Sequence, residues 1–175
     1  MSSPYEYEIG LDLHKDFSML ALVNAEGKCL RYDRIENNPA YLDQYFSQFA
    51  PGSFRVTFES TRPALREYWL ADYFQQRQIT FILSNPALNR AIAHIHAKND
   101  KYDARTLAQL TRAGLIAQCY VPNKETRTLR ELLYHRQRLL QIRTKLKNRI
   151  HVTLAKYNFR APYQYIFGPH GIRWI

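Results

Sequence analysis

Hydrophobic and polar residues alternate along the first part of the chain, in three runs that short polar turns separate. An alternation with a period of two is typical of strands with one buried face, and short turns between such runs favour an antiparallel meander. In the first run the apolar residues share one face, whereas Asp12 lies on the other. The three predicted strands span Glu6–Lys15, Phe17–Asn24 and Cys29–Ile35.

After the meander, segments with helical spacing alternate with short apolar strands. The predicted order is β-β-β-α-β-α-β-α, which is the order of a ribonuclease-H-like α/β domain with a mixed sheet and flanking helices. A doubly wound fold would instead alternate strand and helix from the start. The predicted elements are a helix from Asn38 or Pro39 to about Phe49, a strand over Phe54–Glu59, a helix over Arg62–Gln76, a strand over Ile79–Leu83 and a helix over Pro86–Ile95.

Beyond Pro122 the apolar residues recur at alternating spacings of three and four, which predicts one long helix over residues 123–157. Two positions of this seam hold Arg136 and Arg143 instead of apolar residues. The helix either pairs with a second copy as a coiled coil, giving a homo-oligomer, or packs alone on its own domain. The apolar seam residues are Leu129, Leu132, Leu139, Leu146 and Ile150.

The positive charge of the chain is concentrated in this helix. Residues 1–123 carry 13 basic and 13 acidic residues, whereas residues 124–157 carry 10 basic residues and only Glu125 and Glu131 as acids. Such a basic helix beside a neutral domain indicates a polyanionic partner, namely nucleic acid, although charge runs are often only solvated faces. The predicted phosphate-binding residues are Arg127, Arg130, Arg136, Arg138, Arg143, Lys145, Lys147 and Arg149.

The cysteines and the hydropathy pattern indicate the compartment. Cys29 and Cys119 lie far apart and match no metal-ligand spacing, so they are predicted to be reduced thiols in the core of an intracellular protein. The chain contains no run of 18 apolar residues, so no membrane association is expected. We therefore expect a cytoplasmic protein.

Four acidic residues are candidates for a shared site. Asp100 and Asp103 stand three residues apart at the start of a helical pattern, where they either cap the helix or hold a divalent cation with their carboxylates. Asp12 lies in the first strand and Glu59 ends the fourth, and these strands are neighbours in a ribonuclease-H-like sheet. The pattern therefore predicts that all four carboxylates converge and bind Mg²⁺ or Mn²⁺ as a two-metal cluster acting on a phosphodiester.

Three motifs carry a family resemblance: GLDLHKD (Gly10–Asp16), FEST (Phe58–Thr61) and KNDKYDA (Lys98–Ala104). In order and spacing they resemble the motifs of the DEDD transposases of the insertion-sequence-110 family, whose N-terminal domain is similar to the RuvC resolvase. The resemblance implies a RuvC-like domain over residues 1–122, with Asp12, Glu59, Asp100 and Asp103 as the catalytic, metal-binding residues. It further implies magnesium as the cofactor and, as partners, DNA (element ends and target) and a structured guide RNA. One departure is that Thr61 is followed by Arg62 and Pro63, where the family commonly has Thr-Gly.

The same resemblance implies a second domain with a nucleophilic serine, to which residues 158–175 are the start of a linker. We accordingly expect the 175-residue chain to bind nucleic acid without completing recombination by itself. Two other functions fit the same residues. A stand-alone RuvC-like Holliday-junction resolvase would use the four acids without a serine, and a non-catalytic nucleic-acid-binding module would keep only the basic helix.

Overall fold

In the computed structural model of the chain, residues 3–60, 67–93 and 99–175 are described, and their elements follow the predicted order. The strands are β1 (Tyr7–Leu13), β2 (Phe17–Asn24), β3 (Cys29–Glu36), β4 (Phe54–Glu59) and β5 (Phe81–Ser84). The helices are α1 (Pro39–Phe46), α2 (Glu67–Gln76), α3 (Pro86–Ala93), α4 (Asp100–Arg112), α5 (Lys124–Lys156) and α6 (Pro169–Trp174). The chain divides into two compact units, residues 1–121 and 122–175.

The first unit is built on one mixed sheet with the strand order β3-β2-β1-β4-β5. β1 pairs antiparallel with β2, and β2 pairs antiparallel with β3. β4 runs parallel to β1, and β5 runs parallel to β4. An antiparallel meander extended by parallel strands, with helices on the faces, confirms the ribonuclease-H-like fold that the sequence predicts.

Several element boundaries differ from the prediction for local reasons. α1 ends at Phe46 rather than near Phe49, with Ser47 as its C-cap and the Ser47 N–H donating to the Asp43 carbonyl. β5 begins at Phe81 rather than Ile79, since Gln78 has a positive φ of 56° and turns the chain after α2. Residues 62–66 of the predicted second helix, its proline included, and residues 94–95 of the third lie outside the described residues.

The hydrophobic core fills one face of the sheet. Apolar side chains of β1 and β4 alternate toward α1 and α2, and many of them are fully buried. Aromatic rings dominate this layer, and Phe74 of α2 contacts Phe46, Phe58 and Phe81. Burial of such large rings contributes about 1.5–3 kcal/mol each. This layer makes the sheet a rigid platform for the residues at its edge.

The opposite face of the sheet is covered by α4, which passes very close to β1. A Cβ atom on Gly10 would lie 1.8 Å from the carbonyl oxygen of Ala104, so only glycine fits at this position. Further along α4, the Thr111 hydroxyl donates to the Leu107 carbonyl at 2.7 Å, and its oxygen accepts from the Thr57 hydroxyl of β4 at 2.8 Å. The polar face of β1 is therefore largely covered, and the start of α4 is held over the end of β1 that carries Asp12.

The second unit consists of α5, the loop that follows it, and α6. The side chain of Asn123 accepts a hydrogen bond from the Thr126 backbone N–H at 2.8 Å and caps α5. The 33 residues of this helix make it about 50 Å long. None of the helices within the described ranges is both long and apolar enough to cross a membrane.

The cysteines differ partly from the expectation. Cys29 and Cys119 are both free thiols, as predicted. Cys119 packs against the core, and burial raises the pKa of its thiol. Both thiols are only partly buried, and Cys29, unlike Cys119, begins the edge strand β3, most of whose side chains face solvent. The prediction that both are core residues is therefore wrong for Cys29.

Candidate metal centre and nucleic-acid interface

Two of the candidate acids lie at one edge of the sheet because of how β1 and β4 pair. The strands are parallel and in register, with Leu11 opposite Phe58. Asp12 and Glu59 each follow directly after one of these paired residues. Ends of adjacent parallel strands meet at one sheet edge, which is a common place for binding sites in α/β folds. The backbone of the sheet therefore sets the positions of both acids.

The other two acids lie in the first turn of α4, and neither is the N-cap. Asn99 caps the helix, since its side-chain oxygen accepts the Lys101 N–H at 3.0 Å. The Asp103 N–H donates to the Asn99 carbonyl at 2.9 Å. Negative charge in a first turn is favoured by the helix dipole. Asn99 therefore occupies the N-cap position, and both acids lie within the first turn that follows it.

The pKa of Asp12 responds to the charges of the other three acids. The pKa of Asp12 is raised from 3.8 to about 6, chiefly by burial, while His14 lowers it. The negative charges of Asp103, Asp100 and Glu59 contribute to this net rise. Burial also raises the pKa of Glu59, with a smaller contribution from Asp103. The structure thus brings together acids from three distant segments into one crowded negative site.

His14 is part of this cluster, and the sequence analysis did not assign it a role. Its Nε2 atom lies 3.1 Å from Asp12 Oδ2 and 3.2 Å from Asp100 Oδ2. The ligand atoms of these three residues all lie within 4.8 Å of one another. The one feature of the sequence that could have identified His14 is its position in the motif GLDLHKD, two residues after Asp12. Residues two apart in a strand point to the same face, so His14 follows Asp12 toward α4.

Asn89 is a second residue that the sequence analysis missed. It lies on α3, is 1% exposed, and donates hydrogen bonds to Glu59 Oε1 and to Ser84 Oγ, each at 3.1 Å. Its own side-chain oxygen accepts the Ala117 N–H at 3.2 Å. A buried amide with all these partners holds the Glu59 carboxylate in one orientation. No spacing in the sequence points to this role.

The eight predicted phosphate-binding residues all lie on α5, but they are not equally accessible. Arg127 is 7% exposed, and its Nε donates to the Pro122 carbonyl at 2.6 Å, so it does not offer a free guanidinium at the surface. Lys147 is half-buried and donates to Tyr165 Oη at 2.7 Å, with its ammonium over the rings of Tyr165 and Phe167. The exposed members are Arg130, Arg136, Arg138, Arg143, Lys145 and Arg149.

A pH-dependent cost in stability follows from the raised pKa of Asp12. Between about pH 4 and pH 6 the folded protein binds more protons at this carboxyl than the unfolded chain does, so stability falls as pH rises through that window. In EDTA we expect Asp12→Asn to be more stable than wild type by about 1–3 kcal/mol at pH 7.5, allowing for partial solvent exposure, with little difference near pH 4. Urea unfolding of both proteins across this range measures the effect, and a difference that does not change with pH would contradict it.

Comparisons with known proteins agree with the family motifs. The family model of the insertion-sequence-110 DEDD transposases, described as "Transposase", matches residues 9–159. No curated protein matches the sequence. Similar solved structures include RuvC of Thermus thermophilus, at 14% identity and a TM-score of 0.44, where the alignment covers 65% of this chain and 99% of that one. Another is the T. thermophilus RuvC in complex with Holliday junction substrate, at 12% identity and a TM-score of 0.46, covering 66% and 100%.

Proposed function

Because this chain belongs to the insertion-sequence-110 family of DEDD transposases, we propose that it carries the metal-dependent catalytic domain of a DNA recombinase that moves an insertion sequence. The observations that support this proposal are that Asp12 and Glu59 follow paired residues of adjacent parallel strands, and that Asp12 and Asp100 both approach His14 Nε2. The charges of Asp103, Asp100 and Glu59 also act on Asp12. These four acids are proposed as the catalytic residues and as the metal ligands.

The donor set fits a divalent cation. Carboxylate oxygens are the ligands that Mg²⁺ and Mn²⁺ prefer. Burial is the main cause of the raised pKa of Asp12, and the negative charges of Asp103, Asp100 and Glu59 add to it. Bound divalent ions would remove this repulsion and supply Lewis-acid stabilisation of the attacking and leaving oxygens of a phosphodiester.

The residues around the acids have separate tasks in this proposal. Asp12 and Glu59 hold their carboxylates on rigid strands, and Asn89 fixes the orientation of Glu59 through its hydrogen bond. The positions of Asp100 and Asp103 are set by the position of α4, because α4 packs closely against β1 at Gly10. The site is therefore preorganised by backbone packing rather than by flexible loops.

We propose that α5 binds the phosphates of DNA and of a structured guide RNA. Its basic residues outnumber the acids strongly, and six of the eight candidates are exposed. Arg127 instead donates a hydrogen bond to the Pro122 carbonyl, just before the helix begins. The exposed guanidinium and ammonium groups are suited to phosphate contacts that do not read the base sequence.

We also propose that α5 pairs with the same helix of a second copy. Its seam leucines are 53–63% exposed, which is unusual for a row of large apolar side chains on a stable helix. Pairing would bury this row, and the arginines at two seam positions would limit its stability. The leucines concerned are Leu129, Leu132, Leu139 and Leu146.

The proposed domain organisation follows the same family. Residues 1–122 form the catalytic domain, residues 123–157 the basic helix, and residues 158–175 the beginning of a linker to a serine-bearing domain. In this arrangement the serine would form a covalent link to DNA while the DNA partners exchange.

Metal binding tests the proposed function directly. We expect Mn²⁺ to raise the melting temperature of the wild-type chain and to bind with an affinity that Asp12→Asn weakens by about 10- to 100-fold or more. Glu26→Gln removes an acid from the exposed turn between β2 and β3, and it should leave the affinity unchanged. Isothermal titration calorimetry of the three proteins decides this, and equal Mn²⁺ affinity in wild type and Asp12→Asn would reject the metal site.

A further inference from the structure

His14 lies where a ligand of the proposed metal site would lie. It follows β1 directly, and its backbone is held on both sides: its N–H donates to the Phe17 carbonyl at 3.0 Å, and its carbonyl accepts from Asn37 Nδ2 at 2.9 Å. The imidazole stacks on Phe17 with a centroid distance of 4.5 Å and an interplanar angle of 26°. The guanidinium of Arg34 covers the Phe17 ring at 4.0 Å. The orientation of the imidazole is therefore set in advance by its surroundings.

The Nε2 atom of His14 faces the acids without making an ordinary hydrogen bond. Although the side chain is 33% exposed, the Nε2 atom itself is sealed from solvent. Within the described part of the chain it meets hydrogen-bond geometry with no group, although Asp12 and Asp100 are 3.1 and 3.2 Å away. The two carboxylate oxygens thus flank the nitrogen instead of lying along its N–H direction.

These distances match the spacing of neighbouring ligands around one cation. Two adjacent donors of an octahedral site with bonds of about 2.1 Å lie about 3.0 Å apart. The separations from His14 Nε2 to Asp12 Oδ2 and to Asp100 Oδ2 are close to that value. A buried nitrogen without a hydrogen-bond partner, at the separation expected of a ligand, has the properties of a metal donor.

We infer that His14 Nε2 is a direct ligand of the cation held by Asp12 and Asp100, and that this nitrogen makes the site select Mn²⁺ over Mg²⁺. The inference rests on the proposed function, since it concerns the same metal site. Mg²⁺ is a hard ion that keeps oxygen ligands, whereas transition metals accept imidazole readily. A mixed nitrogen and oxygen set therefore raises the affinity for Mn²⁺ relative to that for Mg²⁺.

A different role for His14 is that of a fixed positive charge which pairs with the two acids. In that role the imidazole would compete with a metal for the same oxygens, and its removal would leave Mn²⁺ binding unchanged or stronger. The ligand role predicts weaker binding instead. The two roles thus differ in the sign of the effect of one substitution.

Pulsed electron paramagnetic resonance on the Mn²⁺-loaded full chain tests the inference. Wild type should show electron spin-echo modulation from a directly bound ¹⁴N nucleus. His14→Gln should abolish that modulation, and the matched control His151→Gln, which changes an exposed histidine on α5, should retain it. We expect His14→Gln to weaken Mn²⁺ binding about tenfold or more and Mg²⁺ binding clearly less. Circular dichroism and the melting temperature verify that each variant is folded.

The outcomes separate this inference from the proposed function. Mn²⁺ binding that Asp12→Asn weakens, but that shows no ¹⁴N modulation in wild type, would overturn the ligand role of His14 and leave the metal site intact. A ¹⁴N signal that persists in His14→Gln, or tighter Mn²⁺ binding by that variant, would overturn it too. Absence of any Mn²⁺ binding sensitive to Asp12→Asn would overturn both.

Discussion

Replacing Asp12 with asparagine is expected to lower the frequency of transposition by about 10³-fold or more, while the protein remains folded and bound to nucleic acid. The asparagine side chain would keep the size of the native one and its place on β1. It would lose the negative charge and one carboxylate oxygen at the position whose pKa the three other acids raise. A divalent ion would then be held by an incomplete set of ligands, and the stabilisation of the reacting phosphate would be lost.

The measurement is a cell-based transposition assay with the native reading frame, a donor element and a target. Glu26→Gln serves as the control because it also removes one acidic charge from the first unit but lies in an exposed turn. Protein levels of all variants are compared by immunoblot. A frequency for Asp12→Asn within a few-fold of wild type would show that the acidic cluster is dispensable for the reaction.

This substitution also separates activity from stability. Asp12→Asn is expected to stabilise the metal-free protein above pH 6, because it removes a carboxylate whose charged form is unfavourable in the folded state. Loss of activity together with a gain in stability cannot be explained by misfolding. The pair of results therefore assigns the loss to the chemistry of the site.

Charge reversal on one face of α5 is expected to weaken DNA and RNA binding about 10²-fold or more at moderate salt. Arg138, Lys145 and Arg149 are spaced by seven and four residues, so they share a face of the helix. The triple substitution to glutamate removes three phosphate contacts and adds repulsion. The slope of log affinity against log salt should fall by about 2–3, since each contact contributes about 0.7–0.9.

A matched control keeps the charge at the same three positions: Arg138→Lys, Lys145→Arg and Arg149→Lys. Fluorescence anisotropy with labelled duplex DNA and structured RNA, measured over a range of salt, should give a slope close to wild type for this control. These positions lie beside the apolar seam rather than within it, so the test does not depend on helix pairing. An unchanged affinity and slope in the glutamate variant would reject α5 as a phosphate-binding surface.

Local patterns in the sequence were sufficient to predict most of the secondary structure of the first unit. The alternation in β1, β2 and β3 identifies a meander, because the side chains of a half-buried strand must alternate between core and the other face. The separation of charge between residues 1–123 and 124–157 is likewise a property of composition along the chain. The three acidic motifs were recognisable because their order and spacing carry a family signature. These features depend on neighbours in sequence and need no tertiary information.

Element ends were less well determined, because they depend on single backbone conformations. The shift of β5 follows from the positive φ of Gln78, a residue whose side chain does not demand it. Likewise, the acids in α4 were open to a capping interpretation until Asn99 was seen to occupy the cap. Several residue types suit a turn or a cap almost equally well, so the sequence alone does not choose among them.

Only the tertiary structure decided which residues surround the acids. His14 meets Asp100 because α4 packs against β1 at Gly10, and Asn89 reaches Glu59 because α3 follows β5, the parallel neighbour of β4. Arginine is a residue type that often binds phosphate, yet Arg127 is buried because of its position at the start of α5. These contacts join segments far apart in the chain, and their distances are set by helix packing and strand register. Residue spacing determined the kinds of groups that form the site, whereas long-range packing determined which of them touch.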